Sequence, residues 1–359
     1  VGRLVATAAE QPVTHDSSTR SPTAAEQLAA LWSNDLALYE IQKPMVEPML
    51  RLFRLTNTAL DFLFYDVGAF AAAMSNRGAV VDSGMGGNSG SARNPLLDHL
   101  DLSAQTNPEG SILVVDANLP PYVERFDDMT KFLAYANDAS GARLRSVSVT
   151  GAGSSALGSA AFAWNASNAL GEPVAAIVPG YGLADVVPQA LGGWFGFGLH
   201  DWLQSATQSF LATVAPSLAQ IGRQLARSSP RHAKAATGAP VFEHGSAASD
   251  DLHGVLLDAP RITRVIGHSK GSLAIANALR SLPAERTRDI SVLTFGCAIA
   301  EELKDCRYAQ FLGLLDGLGV LNSWGHKPEQ WPLARHGTNS FIPLSLPVTA
   351  LVGSTSKVG

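Results

Sequence analysis

The stretch RITRVIGHSKGSLAIANALRSL, residues 261–282, constrains the fold of this chain more than any other. A β-branched run ends at Gly267, a tight Gly-His-Ser-Lys-Gly turn follows, and a helical pattern rich in small residues comes next. Strand, turn and helix in that order open a βαβ unit, whose strands lie parallel and whose crossover is right-handed. The rest of the chain repeats the alternation. ILVV at 112–115, RLRSVSVTG at 143–151, PVAAIVPG at 173–180, ISVLTFG at 290–296 and QFLGLLD at 310–316 read as strands. SSALGSAAFAWNASNAL at 154–170 and GSLAIANALRSL at 271–282 read as helices. The pattern predicts an α/β architecture, a mostly parallel sheet with helices on both faces.

Composition agrees. With 46% hydrophobic and 16% charged residues in 359, the chain can build a large core and is not globally disordered. A net charge of −5 supplies no basic field for nucleic acid. No apolar run reaches the roughly 18 residues that cross a bilayer. Cys297 and Cys306 make neither a disulfide framework nor a metal-ligand spacing, so unpaired thiols and no metal are expected. The polar start, VGRLVATAAEQPVTHDSSTRSPTAAEQ, has no apolar leader and favours a cytoplasmic protein. Because Val1 rather than Met begins the chain, a secreted protein with a removed leader is the alternative.

Four regions follow from the punctuation. Residues 1–22 read as a mobile tail and 23–82 as a helical appendage divided by Pro44 and Pro48. Residues 83–95 form a Gly/Ser linker, and 96–359 form the α/β domain, with an insertion at about 180–260. Tyr181, Trp194, Phe195 and Phe197 crowd that insertion. An aromatic, glycine-interrupted segment between two strands reads as a lid over an apolar pocket, or as an ordinary core helix.

The turn itself carries chemistry. Gly267-His268-Ser269-Lys270-Gly271 fits G-x-S-x-G with strand before and helix after. Such a turn strains the serine backbone and needs small neighbours, and it holds the serine Oγ out at the helix N-terminus. The Lys270 N–H can there face a developing oxyanion. A nucleophilic serine needs a base, and the base an orienting carboxylate. Only His326 and His336 follow Ser269; His336, in the polar loop RHGTNSF, is the preferred base. Of Asp289, Glu301, Glu302, Asp305 and Asp316, the preferred acid is Asp316, placed at the C-terminal edge of a strand, with Asp305 next. Backbone N–H groups of Gly151, Ala152 and Gly153, after an earlier strand, are the candidate second oxyanion donors, with Gly180 and Tyr181 behind them. Lys270 in the first helical turn opposes the helix dipole, so its side chain should brace the turn or favour anionic groups at the pocket mouth.

Ser269 in VIGHSKG, the strand VLTFG after it, and Asp316 then His336 resemble the α/β-hydrolase superfamily, and ISVLTFG looks similar to the class three lipases. The resemblance covers roughly residues 110–350. It implies an α/β-hydrolase-type sheet and cofactor-free carboxylic ester hydrolysis through an acyl-enzyme. The aromatic insertion favours an ester or lipid-like substrate with an apolar acyl chain, and an aliphatic polyester is the alternative. The oligomeric state is open. A non-catalytic hydrolase-fold protein that binds an acyl ligand or partner is the rival class. VTGAGSSALGSA also matches a dinucleotide-binding G-x-G-x-x-A, but the next strand ends in Pro-Gly-Tyr-Gly without the ribose-binding acid.

Overall fold

A computed structural model describes residues 55–84, 98–104, 106–107, 110–151, 153–179, 247–280, 282–300, 302–323 and 326–355. The expected tail at 1–22 and the aromatic residues Tyr181, Trp194, Phe195 and Phe197 lie outside them, as do Gly180 and most of the expected linker.

Residues 55–64 are helical and lead into α1 (Val67–Asn76) and β1 (Ala79–Asp82), which pairs in parallel with β2 (Asp98–Asp101). The main sheet contains β3 (Ile112–Val115), β4 (Val123–Phe126), β5 (Ser146–Val149), β6 (Val174–Ile177), β7 (Arg264–His268), β8 (Ser291–Phe295) and β9 (Arg307–Phe311). Its spatial order is β4-β3-β6-β5-β7-β8-β9. From β6 to β9 every pairing is parallel, whereas β3 runs antiparallel to both β4 and β6. The helices between and after these strands are α2 (Met129–Asn137), α3 (Ala156–Leu170), α4 (Ala247–Asp258), α5 (Lys270–Arg280), α6 (Ala284–Thr287), α7 (Gly317–Asn322) and α8 (Val348–Thr355).

Both faces of the sheet are covered, which explains why its strands are continuous apolar runs rather than alternating ones. Leu113, Val115, Val174 and Ala176 turn toward a core shared with α1, α3 and α8. Ile112, Val114, Val147, Ala175 and Val265 turn the other way, toward α2, α4 and α5. Five of the expected strands and both expected helices lie within a few residues of their predicted places. The sixth differs. QFLGLLD is not one strand: β9 starts earlier, at Arg307, and ends at Phe311. Beyond it Leu312, Leu314 and Leu315 donate instead to the carbonyls of Gln330, Pro332 and Ala334, so the chain leaves the sheet before Asp316. Gly313 permits this, because a Cβ there would strike the Ala334 carbonyl.

Of the helical segment expected as an appendage, the stretch 65–79 is built into the core. Tyr65, Val67, Phe70, Met74 and Ala79 are all at most 5% exposed and belong to the α3-side cluster. Among the described residues no helix is long and apolar enough to cross a membrane.

Candidate active site

The parallel strands deliver their C-terminal ends to one edge, where open α/β sheets place ligands. Ser269 follows β7 there with φ +52°, a left-handed backbone that a serine adopts only under constraint. Its N–H donates to the Phe295 carbonyl at 2.8 Å, which ties the turn to β8. The two flanking glycines are steric requirements. A Cβ on Gly267 would lie 2.9 Å from the Ser272 Cα, and one on Gly271 would strike the Val149 carbonyl. Lys270 is the first residue of α5, where backbone N–H groups point out of the helix end.

Over this turn, His336 places Nε2 2.9 Å from Ser269 Oγ, while its Nδ1 lies 2.9 Å from each carboxylate oxygen of Asp316. The Asp316 side chain is fully buried and that of His336 is 11% exposed, so the pair is largely withdrawn from solvent. Asp316 also caps α7, its Oδ1 accepting from the Gly319 N–H at 2.6 Å, which orients the carboxylate. Gly296, at the end of β8 with φ +67°, makes room for the base: a Cβ there would be 3.1 Å from the His336 ring. The alternatives stand elsewhere. Asp305 precedes β9, at the opposite edge of the sheet, and the His326 N–H donates to the Ser323 carbonyl, outside the lining of the serine's cleft.

His268 has a part that the sequence pattern did not suggest. Its imidazole is buried, and desolvation, with His336 close by, pushes its pKa down to about 3, so the ring is neutral. Its Nε2 lies 2.8 Å from the His336 carbonyl, which can only accept, so Nε2 carries the proton. Nδ1 therefore accepts, and at 2.9 Å its donor is the Tyr65 hydroxyl. The same hydroxyl oxygen accepts from the Gly151 N–H at 3.0 Å. One chain of hydrogen bonds thus joins the loop after β5, the bend just ahead of α1, the nucleophile turn and the backbone of the base.

This arrangement bears on the expected oxyanion loop. Gly151 borders the nucleophile, with its Cβ position 3.3 Å from Ser269 Cβ, but its N–H is engaged by Tyr65. Ala152 lies outside the described residues. Gly153, at φ +82°, packs against the Asn57 side chain.

Two acids of the stretch LDFLFYD complete the frame. Asp61 is 1% exposed and accepts from Ser154 Oγ, Ser155 Oγ, the Ser155 N–H and the Gly158 N–H, at the N-terminus of α3. Burial pushes its pKa up to about 7 against the pull of those donors. A carboxylate therefore fills the place where the dinucleotide pattern would have seated a phosphate. Gly158 is what admits it, since a Cβ there would strike the carboxylate. Asp66 accepts from Ser340 N–H at 2.5 Å, Ser340 Oγ at 2.6 Å and Asn165 Nδ2 at 2.6 Å. Together with Thr338 N–H and Asn339 Nδ2 donating to the Phe64 and Phe62 carbonyls, it fastens the loop that carries His336. The sequence did hold a signal for both acids: two carboxylates in a stretch otherwise apolar.

Leu60, Phe64, Gly151, Lys270, Leu318 and Asn322 are among the residues that line the cleft around Ser269 and His336. Burial lowers the Lys270 ammonium pKa to about 8. Cys297 and Cys306 are free thiols, and among the described residues no His/Cys/Asp/Glu cluster could hold a metal ion.

No protein-family model, curated protein or solved structure matches the chain. The fold is of α/β-hydrolase type, with a buried Ser-His-Asp cluster at the edge of the sheet where open α/β folds place their ligands. The arrangement suits a hydrolase that works through a serine nucleophile.

Proposed function

We propose that this protein is a serine carboxylic ester hydrolase acting on apolar acyl esters. The observation that carries the reading is His336 bridging Asp316 and a left-handed Ser269, each contact at 2.9 Å. His336 takes the Ser269 proton as Oγ attacks the ester carbonyl, and Asp316 stabilises the imidazolium that forms. The Lys270 N–H receives the oxyanion, with the help of the α5 dipole. Gly151 can join it only by leaving Tyr65, so Gly153 is the freer of the two described loop amides to serve as second donor. His336 then protonates the leaving alcohol, and activates the water that hydrolyses the acyl-enzyme.

Leu60, Phe64 and Leu318 around the serine support an apolar acyl chain. A fluorophosphonate should label Ser269 in the folded protein, and Ser269→Ala should abolish both labelling and p-nitrophenyl ester turnover. His336→Ala should lower kcat by about 10⁴-fold or more, whereas His326→Ala should leave it near wild type. Labelling and turnover that survive in Ser269→Ala would refute the reading, and absence of both in the wild type would favour the non-catalytic binding protein.

A further inference from the structure

One polar side chain in the cleft has no side-chain hydrogen bond among the described residues. Asn322 closes α7 and is 6% exposed. Its main-chain carbonyl lies 3.7 Å from Cys297 Sγ, yet its side-chain amide makes no hydrogen bond to any described residue. The contrast with its neighbours is sharp. Asp61, Tyr65, Ser154, His268, Ser269 and His336 line the same cleft, and each of their side chains has a hydrogen-bond partner. Polar side chains this enclosed are ordinarily paired within the protein, whereas the Asn322 amide is left facing whatever occupies the cleft. Asn322 is also unlike Asn277 and Ser272, whose unpartnered oxygens are sealed from every surface, because it borders the open cleft.

The helix end that carries Asn322 is fixed with respect to the triad. Asp316 caps α7 through Gly319, and Ser323, next to Asn322, donates Oγ to the Gly319 carbonyl at 2.6 Å while accepting from the Ala298 N–H at 2.8 Å. Leu318 and Asn322, four residues apart, share one face of the helix, so α7 presents one apolar and one amide group to the cleft. An amide so placed both donates and accepts.

We propose that Asn322 hydrogen-bonds a second oxygen of the substrate, a hydroxyl or a further carbonyl set close to the scissile ester. The preferred substrates are then hydroxyacyl esters or their oligomers rather than plain alkyl esters. This rests on the ester-hydrolase reading and narrows its substrate class. The probe is p-nitrophenyl butyrate beside its β-hydroxy analogue, with kcat/KM measured for each. The wild type should prefer the hydroxy ester. Asn322→Leu and Asn322→Ala should each reduce the hydroxy-to-alkyl ratio of kcat/KM by about tenfold or more. Alanine is the variant that reads the effect if leucine prevents folding. A wild type without preference, or a ratio that stays within roughly threefold in the folded variant, overturns the assignment while the hydrolase reading stands. Failure to hydrolyse either ester, together with no fluorophosphonate labelling of Ser269, overturns the hydrolase reading and this one with it.

Discussion

Replacing Tyr65 by phenylalanine removes a single hydroxyl and tests how the site is held. That oxygen accepts from the Gly151 N–H at 3.0 Å and donates to His268 Nδ1 at 2.9 Å. Tyr65 is 3% exposed and His268 1%, so water does not readily replace it. Both partners are left unsatisfied, at about 1–3 kcal/mol each, which gives a loss of about 2–4 kcal/mol with partial relaxation. For a domain of this size that is a fall of about 4–8 °C in Tm. The catalytic effect is indirect. His268 loses one of the two bonds that orient its ring, the other being the 2.8 Å bond to the His336 carbonyl. Looser positioning of the base should lower kcat about tenfold with KM little changed. Thermal unfolding followed by circular dichroism, beside steady-state ester hydrolysis, measures both. Wild-type Tm and kcat would refute the network. A kcat lower by about 10²-fold or more at unchanged Tm would refute it differently, by assigning the hydroxyl to the oxyanion.

Two other perturbations follow from the same frame. Asp61 has its folded pKa raised to about 7 from an ordinary 3.8, so between those values the folded state binds the extra proton. The contribution is complete below about pH 4 and is lost as pH rises through about 7; urea midpoints measured from pH 4 to 8 should therefore decline in the wild type. Asp61→Asn should flatten that slope, and an unchanged slope would refute the assignment. Gly296→Ala places a Cβ 3.1 Å from the His336 ring on a backbone at φ +67°. Stability should fall by about 1–2 kcal/mol and kcat by about tenfold or more, read from denaturant melts and turnover, and wild-type kcat would show that the base has room to spare.

Local pattern carried much of this protein. The short apolar runs and small-residue helices determined a parallel α/β core by themselves, because a strand covered on both faces is apolar throughout and a helix lying close on a sheet must be small. The Gly-His-Ser-Lys-Gly turn was legible for the same reason: a left-handed serine wedged between β7 and α5 tolerates only glycine at Gly267 and Gly271. Chain order narrowed the base to His326 or His336 and the acid to five candidates; the polar loop around His336 and the expected strand edge at Asp316 favoured the two that the fold brings together, although the strand expected to carry Asp316 ends at Phe311. Periodicity says nothing about what lies opposite a residue in space. The packing of 65–79 into the core, the antiparallel β3–β4 pair, and the bonds joining Tyr65 to Gly151 and His268 across 86 and 203 residues were therefore decided only in the tertiary structure. The Asn322 amide, which has no hydrogen-bond partner among the described residues, belongs with them, since a missing partner can be recognised only after the surrounding groups have found their own.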